Sequence, residues 1–482
     1  MGKVNEILMK IFSTVRNFLE NTSLHGFKFI AEPGRHWSER LLWTIVCVIS
    51  WIGSAMLFQT SYIAFQEKAV SFVVETTYLE ANTSYPSVSI CEDENVQPLY
   101  DAANALFGED HDNNLDEVLR ELAYFRGSAY YIKGVCSELG SQCPRGNFSE
   151  LVRQVRVNCE EILSDCSWTG KPFDCCKHFV PIETELGTCF SFSRKNENKL
   201  KERGEPDWVD TIANRHKPLP SLKFEINGSV RVFLHSEYDV PYLNSLSPDI
   251  LQPDEDMVKY YYITVTDMEN PPEVRQLSIN QRKCRFPDEN NLKTTDFYSY
   301  SSCIVDCRRR AQMELCNCTS HFTPKSKPEE HCDYDGIICL DSFNTRLAIQ
   351  KTKWGDKDGL ICDCLPGCAD TDFDVVVTTQ ESMDPETGTS IVVIKLLRFP
   401  TERYKRNVVR GLLDLVVSMG SAAALFVGAS LLTIVEVAYY FLIRSRTTER
   451  LDATAHDATQ SQNEDEESSN ENNGQGILPF VF

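Results

Sequence analysis

Residues 411–443 form an apolar run that is longer than one membrane crossing requires. At about 1.5 Å per helical residue this run would span roughly 50 Å, whereas the hydrocarbon core of a bilayer is roughly 30 Å thick. A helix formed here must therefore tilt, protrude from the bilayer or break. Two acids, Asp414 and Glu436, lie inside the run, and intramembrane carboxylates usually face a bundle interior or a water-filled path. The run therefore indicates a pore, and ion passage is the first hypothesis.

The same run also contains a stripe of small residues. Gly420, Ala424 and Gly428 are spaced four apart, which would let two helices approach closely without any pore. From the triplet Gly428-Ala429-Ser430 alone, helix packing would be favoured. The two acids and the excess length reverse that preference.

A second apolar stretch, residues 41–58, is also long enough to span a bilayer. It begins late in the chain, and no small-residue cleavage site comes shortly after it, so we interpret it as a retained span rather than a signal peptide. Basic residues precede this stretch and follow the run at 411–443, so the positive-inside bias places both termini in the cytosol. These basic residues are Arg35, His36 and Arg40 on one side, and Arg444, Arg446 and Arg450 on the other.

The two spans divide the chain into five segments. The last of them is rich in Asn, Gln, Glu and Ser and cannot bury enough apolar surface to fold alone, so we expect it to be disordered. The expected segments are a cytosolic N-terminus (1–40), transmembrane helix 1 (41–62), an extracellular domain (63–407), transmembrane helix 2 (408–443) and a disordered cytosolic tail (444–482).

The cysteines support this topology. Of the 19 cysteines, Cys47 alone lies in a span, and the other 18 fall between Cys91 and Cys368, within the expected exterior. Crowded thiols form disulfides in an oxidising compartment, and they hold zinc or carry out redox chemistry in the cytosol. The topology therefore predicts a disulfide framework.

A thiolate metal site is the alternative interpretation of some of these cysteines. The pairs Cys316-x-Cys318 and Cys362-x-Cys364 could supply four ligands, but the spacing fits common zinc sites poorly, and we expect no metal site. The pairing of six other cysteines stays open, since six cysteines allow 15 pairings. These are Cys136, Cys143, Cys159, Cys166, Cys175 and Cys176.

Acceptor sequons for N-glycosylation also fall within the expected exterior. A fifth sequon, at Asn21, lies on the cytosolic side and should stay unmodified. The four exterior acceptors are Asn82, Asn147, Asn227 and Asn317.

The net charge of −22 argues against a nucleic-acid partner. Carboxylates outside a membrane would concentrate cations near a pore mouth, although a solvated surface explains most individual acids equally well. The chain lacks the G-x-S-x-G, H-E-x-x-H, P-loop and Rossmann fingerprints, and its nine histidines are scattered. We therefore expect no enzyme, no catalytic residue and no cofactor.

The expected exterior alternates between β-branched and helical patterns. We predict strands at residues 70–74 and 86–91, a helical region from about 95 to 188, and a surface loop at 194–220. Further strands are predicted at 222–234 and 259–266, and two β-branched runs, 374–380 and 390–398, are predicted to form a hairpin.

Two helices are predicted within the helical region. Asn114 and Glu117 suit a capping box at the start of the first, and Gly127 suits its end. Residues at helical spacing mark the second, namely Leu151, Val155, Cys159 and Ile162.

Cysteine spacings predict a stapled module in the later part of the exterior. Cys303 and Cys307 are four apart in a helical segment, and Cys362 and Cys364 are two apart, so each pair lies on one face if the second segment is extended. Both spacings correspond to about 6 Å, so two parallel disulfides, here called the rungs of a ladder, could join the helix to a facing strand. Such a ladder would stabilise the module and could also transmit force to the membrane. Cys284 and Cys368 are nested outside it, and Cys316 and Cys318 could meet Cys339 and Cys332.

Several motifs together carry a resemblance that covers nearly the whole chain. Leu24-His25-Gly26 before the first span resembles a cytosolic His-Gly motif, and residues 85–91 (YPSVSIC) resemble a first ectodomain strand. The triplet at 428–430, followed six residues after its serine by Glu436, is similar to a Gly-x-Ser selectivity motif with an acid below it. With the order of the cysteines, these motifs resemble the degenerin / epithelial sodium channel (DEG/ENaC) family, and within it insect pickpocket-type subunits.

The resemblance implies an α+β membrane protein that forms a trimer. Two transmembrane helices would flank a large disulfide-rich extracellular domain, which has a β palm core, a knuckle, a helical finger at about 92–188 and a thumb at about 284–368. The implied disulfides are Cys91 with Cys189, Cys284 with Cys368, Cys303 with Cys364, Cys307 with Cys362, Cys316 with Cys339, and Cys318 with Cys332.

The resemblance also implies a subunit of a sodium-selective, amiloride-sensitive, voltage-independent cation channel in the plasma membrane. The subunit would lie in the lipid bilayer, join identical or related subunits, pass Na⁺ transiently and open to an extracellular chemical or mechanical stimulus. The alternative is a two-span, disulfide-rich receptor or adhesion protein without a pore. A trimeric ATP-gated channel shares the topology, but no basic nucleotide cluster follows the first span. The sequence does not identify the stimulus, and it does not separate a homotrimer from a heterotrimer.

In the implied pore the triplet at 428–430 is the selectivity filter. An unwound helix there would expose backbone carbonyls that replace part of the water shell of Na⁺, with three chains supplying three carbonyls at each level. The implied residues are Gly428, Ala429 and Ser430 in the filter, Asp414, Ser418 and Glu436 along the pore, and His25 and Gly26 at the cytosolic vestibule.

One departure from the family concerns gating. Acid-sensing members carry histidines just after the first span, where this chain has Gln66-Glu67-Lys68, and Ser418 replaces the acid at their pore mouth. The departure argues against proton gating. Asp414, one turn earlier, could replace the missing charge.

Overall fold

The computed structural model describes residues 15–16, 18–76, 82–140, 143–146, 148–206, 208–383 and 388–444. The chain divides into two compact units, one made of residues 1–69 with 409–482 and the other of residues 70–408. The sequon at Asn147 and the tail beyond Arg444, which the sequence predicts to be disordered, lie outside the described residues.

Helices and strands are numbered here along the chain. The helices are α1 (Phe27–Ala31), α2 (Trp37–Glu67), α3 (Val96–Phe107), α4 (Asn114–Ala123), α5 (Tyr130–Leu139), α6 (Phe148–Val155), α7 (Cys159–Ile162), α8 (Cys175–His178), α9 (Arg194–Glu202), α10 (Ile279–Arg282), α11 (Tyr300–Cys316), α12 (Tyr334–Ser342), α13 (Asn344–Ala348), α14 (Leu412–Val427) and α15 (Leu431–Tyr439). The strands are β1 (Val70–Glu75), β2 (Thr83–Ser84), β3 (Ser87–Glu92), β4 (Leu163–Trp168), β5 (Lys171–Pro172), β6 (Val180–Thr184), β7 (Gly187–Phe192), β8 (Ile212–Ala213), β9 (Ser221–Asn227), β10 (Val230–His235), β11 (Ile250–Leu251), β12 (Met257–Glu269), β13 (Asp372–Ser382), β14 (Thr389–Leu396) and β15 (Arg403–Val408).

The unit of residues 1–69 and 409–482 contains the helices α1, α2, α14 and α15, and it is called the helical unit below. Helix α2 extends beyond the predicted 41–62 at both ends, and His36 caps its start by accepting a hydrogen bond from the Ser38 N–H at 3.4 Å. Among the described residues, α2 is by itself long and apolar enough to cross a membrane. Helix α14 and residues 431–443 pass the same test only as a pair, and this pair is bent by 68°. Of the three outcomes open to the long apolar run, the structure therefore contains the break.

The other unit is built on two main sheets. The larger has the strand order β1-β15-β12-β14-β9-β4-β5, with β13 also paired to β12, and the smaller has the order β11-β10-β3-β7-β6. Buried residues alternate along β9, as expected when one face of a strand packs on a core. The core draws on both sheets, and its largest buried side chains include Ile90, Phe179, Phe192, Leu222, Phe224, Ile226 and Ile263.

The prediction of a hairpin from residues 374–380 and 390–398 is wrong. Strands β13 and β14 lie on opposite sides of β12, with β13 antiparallel to it and β14 parallel to it. Strand β14 also pairs with β9, and its buried positions Ser390, Val392, Ile394 and Leu396 alternate toward the core. The sequence around β13 and β14 does not reveal this arrangement, because β12, the strand that separates them, ends more than a hundred residues earlier in the chain.

The predicted helical region is only partly helical. Helices α3 to α7 occupy its first part, but β4, β6 and β7 follow at residues 163–168, 180–184 and 187–192. The second predicted helix is divided in two because Asn158 starts a new helix, α7, through a capping box with Glu161. The predicted loop at 194–220 begins with a helix, α9, which Ser193 caps.

The predicted capping box at Asn114 and Glu117 is also wrong. Helix α4 starts at Asn114, whose N–H donates to Asp112 Oδ1 at 2.9 Å, and Asn113, in the N-cap position, makes no side-chain cap. The helix ends at Ala123, before the predicted stop at Gly127.

Nine disulfides are present among the described cysteines, and all lie in the unit of residues 70–408. The six pairs that the resemblance implies are all found, including the rungs Cys303–Cys364 and Cys307–Cys362 on α11. The three pairings that the sequence left open are Cys136–Cys143, Cys159–Cys176 and Cys166–Cys175.

Candidate functional site

The break between α14 and α15 is encoded by its own residues. Gly428 ends α14 with φ of 71°, in the left-handed region that glycine enters at little cost. Ser430 then starts α15, since its Oγ accepts from the Thr433 N–H at 3.3 Å and its own N–H donates to Thr433 Oγ1 at 3.1 Å. A C-cap glycine and an N-cap serine, separated only by Ala429, end one helix and begin another, and this fixes the position of the bend.

The break leaves backbone groups outside the helical hydrogen-bond ladder. The last carbonyls of any helix lack intrahelical partners. Here the carbonyl of Val427 accepts a hydrogen bond from the N–H of His25 at 3.1 Å, so the segment before α1 reaches the break. This segment contains the Leu24-His25-Gly26 motif, and the structure brings that motif and the 428–430 triplet together.

Two glycines make this approach possible. A Cβ atom on Gly428 would lie 2.6 Å from His25 Cγ, and one on Gly26 would lie 2.5 Å from Cys47 Sγ. Gly26 also has a positive φ, 83°. The Cys47 thiol, buried on α2, donates to the His25 carbonyl at 3.8 Å. The His-Gly segment therefore lies between α2 and the break.

Glu436 is held by the same N-terminal segment. Ser23 donates from its N–H to Oε1 at 3.2 Å and from its Oγ to Oε2 at 2.6 Å. Ser23 Oγ also lies 3.4 Å from Thr433 Oγ1, which bonds to Ser430. A short polar chain thus connects the acid, the N-terminal segment and the cap of α15. Sequence reasoning missed Ser23 and Thr433, although hydroxyl residues beside a His-Gly motif and one turn before an acid were a usable signal.

Asp414 and Ser418 lie away from this cluster. They are one turn apart on α14, and Gly428 follows Asp414 by 14 residues, or roughly 20 Å along a helix. The Asp414 carboxylate accepts from the Gly411 N–H at 2.8 Å and so caps the start of α14. The structure therefore gives Asp414 a local capping contact and does not bring it into contact with the triplet.

A buried ion pair joins separate parts of the other unit. Arg308 on α11 pairs with Glu185 in the turn between β6 and β7, and their side chains are 3% and 9% exposed. The guanidinium also donates to the Leu347 carbonyl at 3.1 Å and to Asn244. Because a charge this deeply buried is costly without its partner, the pair fixes α11 against the β6–β7 turn.

Arg406 on β15 occupies a second buried position, at 4% exposure. Its guanidinium bonds to Asn270 Oδ1 at 3.0 Å and Cys284 Sγ at 2.6 Å, and it lies over the Phe72 ring at 5.2 Å. Burial lowers its pKa from the ordinary value. The side chain links strand β15 to β1 and to the Cys284–Cys368 disulfide, a role that no sequence pattern indicated.

A cavity of about 370 Å³ between the loop after β10 and the start of β13 is acidic. Burial, and then the neighbouring charge of Asp239, raise the pKa of Asp370 to about 7. Burial likewise raises the pKa values of Asp249 and Asp372. The residues that line this cavity include no lysine or arginine. No group of three or more His, Cys, Asp or Glu side chains among the described residues has the arrangement of a metal site.

Comparison with known proteins identifies a family that matches most of this chain. Residues 18–440 match the sequence model of the family described as "Amiloride-sensitive sodium channel". The chain is 25% identical to the sodium channel protein Nach of Drosophila ananassae over 486 residues, which cover 94% of this chain and 91% of that protein. It is 22% identical to pickpocket protein 19 of Drosophila melanogaster over 88% of this chain and 89% of that protein, and 20% identical to acid-sensing ion channel 4 of Mus musculus over 88% and 78%.

Proposed function

The chain belongs to the amiloride-sensitive sodium channel family, and we propose that it is a subunit of a sodium-selective, amiloride-sensitive, voltage-independent cation channel of the plasma membrane. One observation carries the proposal, the break of the long apolar run at Gly428 to Ser430. Non-helical backbone at membrane depth is tolerated where it is buried in protein or lines a water-filled path. An ion path gives the break a function.

The proposed pore is formed by three chains around the broken helices. Backbone carbonyls at 428–430 replace part of the hydration shell of Na⁺, which is a hard cation that favours oxygen ligands. Glu436 attracts cations on the cytosolic side of the filter, and its two hydrogen bonds from Ser23 support a fixed orientation there. Asp414 and Ser418 line the outer mouth, one turn apart on α14.

The proposed topology has two spans, α2 and the bent α14–α15 pair, with both termini in the cytosol. Residues 63–407 form the extracellular domain, with a finger at about 92–188 and a thumb at about 284–368. Nine disulfides in this part of the chain support its exposure to an oxidising compartment. The proposed acceptors Asn82, Asn227 and Asn317 are exposed there.

We infer that an extracellular chemical or mechanical stimulus opens the channel. The two rungs on α11 bind this helix to residues 362–364, and the Arg308–Glu185 pair binds it to the β6–β7 turn. A helix fixed at several points can transmit a displacement rather than absorb it. These contacts support force or ligand-induced movement as the input.

Voltage clamp of cells that express this chain tests the proposal. We expect an inward current that disappears when external Na⁺ is replaced by an impermeant organic cation and that amiloride blocks. If the chain alone is silent, co-expression with Nach-type or pickpocket-type subunits must restore the current. Surface-expressed chains that carry no current with any of these partners would favour a receptor or adhesion protein without a pore.

Thiol modification tests the filter. In Ser430→Cys channels a charged, water-soluble thiol reagent should block the current, because the new thiol lies in the ion path. Val416→Cys is the matched control, since Val416 lies on α14 about 160° around the helix from both Asp414 and Ser418, away from the proposed pore-lining face. Unchanged conductance and selectivity in fully modified Ser430→Cys channels would contradict the placement of the filter.

A further inference from the structure

The sequon Asn317-Cys318-Thr319 lies in one of the most constrained parts of the extracellular domain. Asn317 caps the C-terminus of α11, with φ of 56° and its N–H bonded to the Met313 carbonyl at 3.1 Å. Its side chain is exposed, so a glycan can be accommodated once it has been attached. The other two residues of the sequon, Cys318 and Thr319, are instead held by a disulfide and by hydrogen bonds within the fold.

Thr319 is completely buried, at 0% exposure. Its Oγ1 donates to Gln312 Oε1 at 2.8 Å and lies 2.7 Å from Thr323 Oγ1. Its backbone N–H donates to the Glu330 carbonyl at 2.8 Å, and its carbonyl accepts from the Cys332 N–H at 2.9 Å. The hydroxyl and both backbone groups of Thr319 are therefore engaged inside the fold.

Two disulfides close this arrangement. Cys318, the middle residue of the sequon, is bonded to Cys332, and Cys316 is bonded to Cys339. To expose the Thr319 hydroxyl, the chain must leave α11 and its bridge to residues 330–332 while both crosslinks hold it in place. Crosslinks restrict local opening, so the hydroxyl is out of reach once they have formed.

N-glycosylation requires the hydroxyl residue at the third position of the sequon, so the transferase must contact that hydroxyl during the reaction. We propose that Asn317 is glycosylated only before the Cys318–Cys332 disulfide closes, so that glycan transfer and oxidation compete for the same segment of the newly made chain. This inference rests on the proposed extracellular placement of the segment. Under this proposal, the glycan occupancy of Asn317 reports how often glycan transfer precedes closure of the Cys318–Cys332 disulfide.

The two competing reactions are chemically distinct. In the first, Asn317 Nδ2 attacks the anomeric carbon of an oligosaccharide carried on a polyprenyl pyrophosphate, a C–N bond forms, the C–O bond to pyrophosphate breaks, and Nδ2 loses one proton. In the second, the Cys318 and Cys332 thiols are oxidised to a disulfide. Their two electrons and two protons pass by thiol–disulfide exchange to a disulfide-bearing oxidant of the secretory pathway, which becomes a dithiol.

The sequon Asn227-Gly228-Ser229 is an internal control. It occupies the turn between β9 and β10, and both Asn227 and Ser229 are exposed. No cysteine lies within the sequon or in either strand that flanks it. Its occupancy should therefore not depend on oxidation.

Site-specific glycan occupancy in the full chain, expressed in insect cells and measured by mass spectrometry after enzymatic deglycosylation, tests the proposal. We expect partial occupancy of Asn317 in the wild type. In Cys332→Ser chains, which keep the sequon intact, the glycan occupancy of Asn317 should rise at least about twofold. The Cys318–Cys332 disulfide, which would take seconds to hours to close, cannot form in these chains, so it no longer limits the time available for glycan transfer. Asn227 should be unchanged.

A brief pulse of dithiothreitol during synthesis of the wild-type chain gives a second measurement that does not depend on the variant folding. It should raise Asn317 occupancy in newly made chains and leave Asn227 unchanged. Full occupancy in untreated wild type, or no rise under either condition, would overturn the competition. Absence of glycan from both Asn227 and Asn317 would instead overturn the extracellular placement itself, and this outcome would contradict the proposed topology as well.

Discussion

Gly428 and His25 lie so close together that a methyl group on the glycine would overlap the imidazole, with 2.6 Å between the added Cβ and His25 Cγ. The two residues are about four hundred positions apart in the chain, yet the His25 N–H bonds to the carbonyl of Val427, beside Gly428. The turn that breaks the long apolar run is therefore also the surface on which the N-terminal segment rests. A change at either residue should disturb both.

We expect Gly428→Ala to reduce the amiloride-sensitive sodium current at least about tenfold, because a left-handed alanine costs roughly 1–2 kcal/mol and its methyl group displaces His25. The measurement is current normalised to surface-labelled protein. Gly420→Ala is the matched control, since a Cβ on Gly420 meets no atom within 4 Å and alanine favours a helix interior. Equal loss in both variants would instead support the helix-packing role of the small-residue stripe.

Ser23 and Glu436 should be coupled in function. We expect Ser23→Ala to lower the sodium current at least about tenfold, since a hydrogen bond to a charged group is worth roughly 1.5–3 kcal/mol and about 1.4 kcal/mol corresponds to a factor of ten. Glu436→Gln should cause a larger loss. The double variant should lose little more than Glu436→Gln alone, because the hydroxyl then has no carboxylate to orient.

The measurement is again current per surface subunit, here as a double-mutant cycle. Thr60→Val provides the control for removal of a hydroxyl from the same helical unit, since the Thr60 hydroxyl donates to the Met56 carbonyl within α2. Fully additive effects of the two changes would show that Ser23 does not act through Glu436.

Local chemistry explains what the sequence could predict. The position of the break follows from a glycine that can end a helix, placed two residues before a serine that can start one. The ladder on α11 follows from cysteines four apart on a helix that face cysteines two apart on a second segment. In each case a few neighbouring residues contain the whole signal.

Contacts between distant segments explain what the sequence could not predict. Nothing in residues 374–398 indicates that β12 separates β13 from β14. The alternation of buried and exposed residues shows that a segment is a strand, but it does not determine which strands pair with it. Ser23 bonds to Glu436 across 413 positions, and Arg308 meets Glu185 across 123. The pairing of the six cysteines between 136 and 176 required the geometry of the helices and strands that carry them.

The Arg308–Glu185 pair should be far more important to stability than its exposed counterparts. We expect Arg308→Met or Glu185→Leu to destabilise the protein by about 3–5 kcal/mol, because each leaves one buried charge without its partner. The double variant Arg308→Met/Glu185→Leu should recover much of that loss, since no unpaired charge remains. Thermal unfolding of the detergent-solubilised protein, followed by tryptophan fluorescence, measures the effect.

Lys353→Met is the control for this prediction. It breaks a pair with Asp363 whose side chains are 62% and 89% exposed, and such pairs contribute at most about 1 kcal/mol. If Arg308→Met is as mild as Lys353→Met, the buried pair does not fix α11 to the β6–β7 turn.

The acidic cavity should make stability depend on pH. The folded-state pKa of Asp370 is raised to about 7, above its ordinary value, so between about pH 4 and pH 7 the folded protein binds a proton that the unfolded chain releases. The contribution to stability is therefore fully present below about pH 4 and is lost as the pH rises through 7. Beside this carboxyl, Asp239 and Asp372 oppose its ionisation, whereas the Gly367 N–H, which donates to it at 2.7 Å, and Arg406 favour it.

We expect Asp370→Asn to remove this dependence, because the amide is never charged and its oxygen can still accept from Gly367. The variant should be more stable than the wild type at pH 8, by at most about 4 kcal/mol, and nearly equal to it at pH 4. Asp363→Asn, at a carboxyl that is 89% exposed, should show no such divergence with pH. If the difference in melting temperature between Asp370→Asn and wild type stayed constant from pH 4 to 8, the prediction would be wrong. Asp370 would then ionise in the folded protein as it does in the unfolded chain, and the cavity would not disfavour its negative charge.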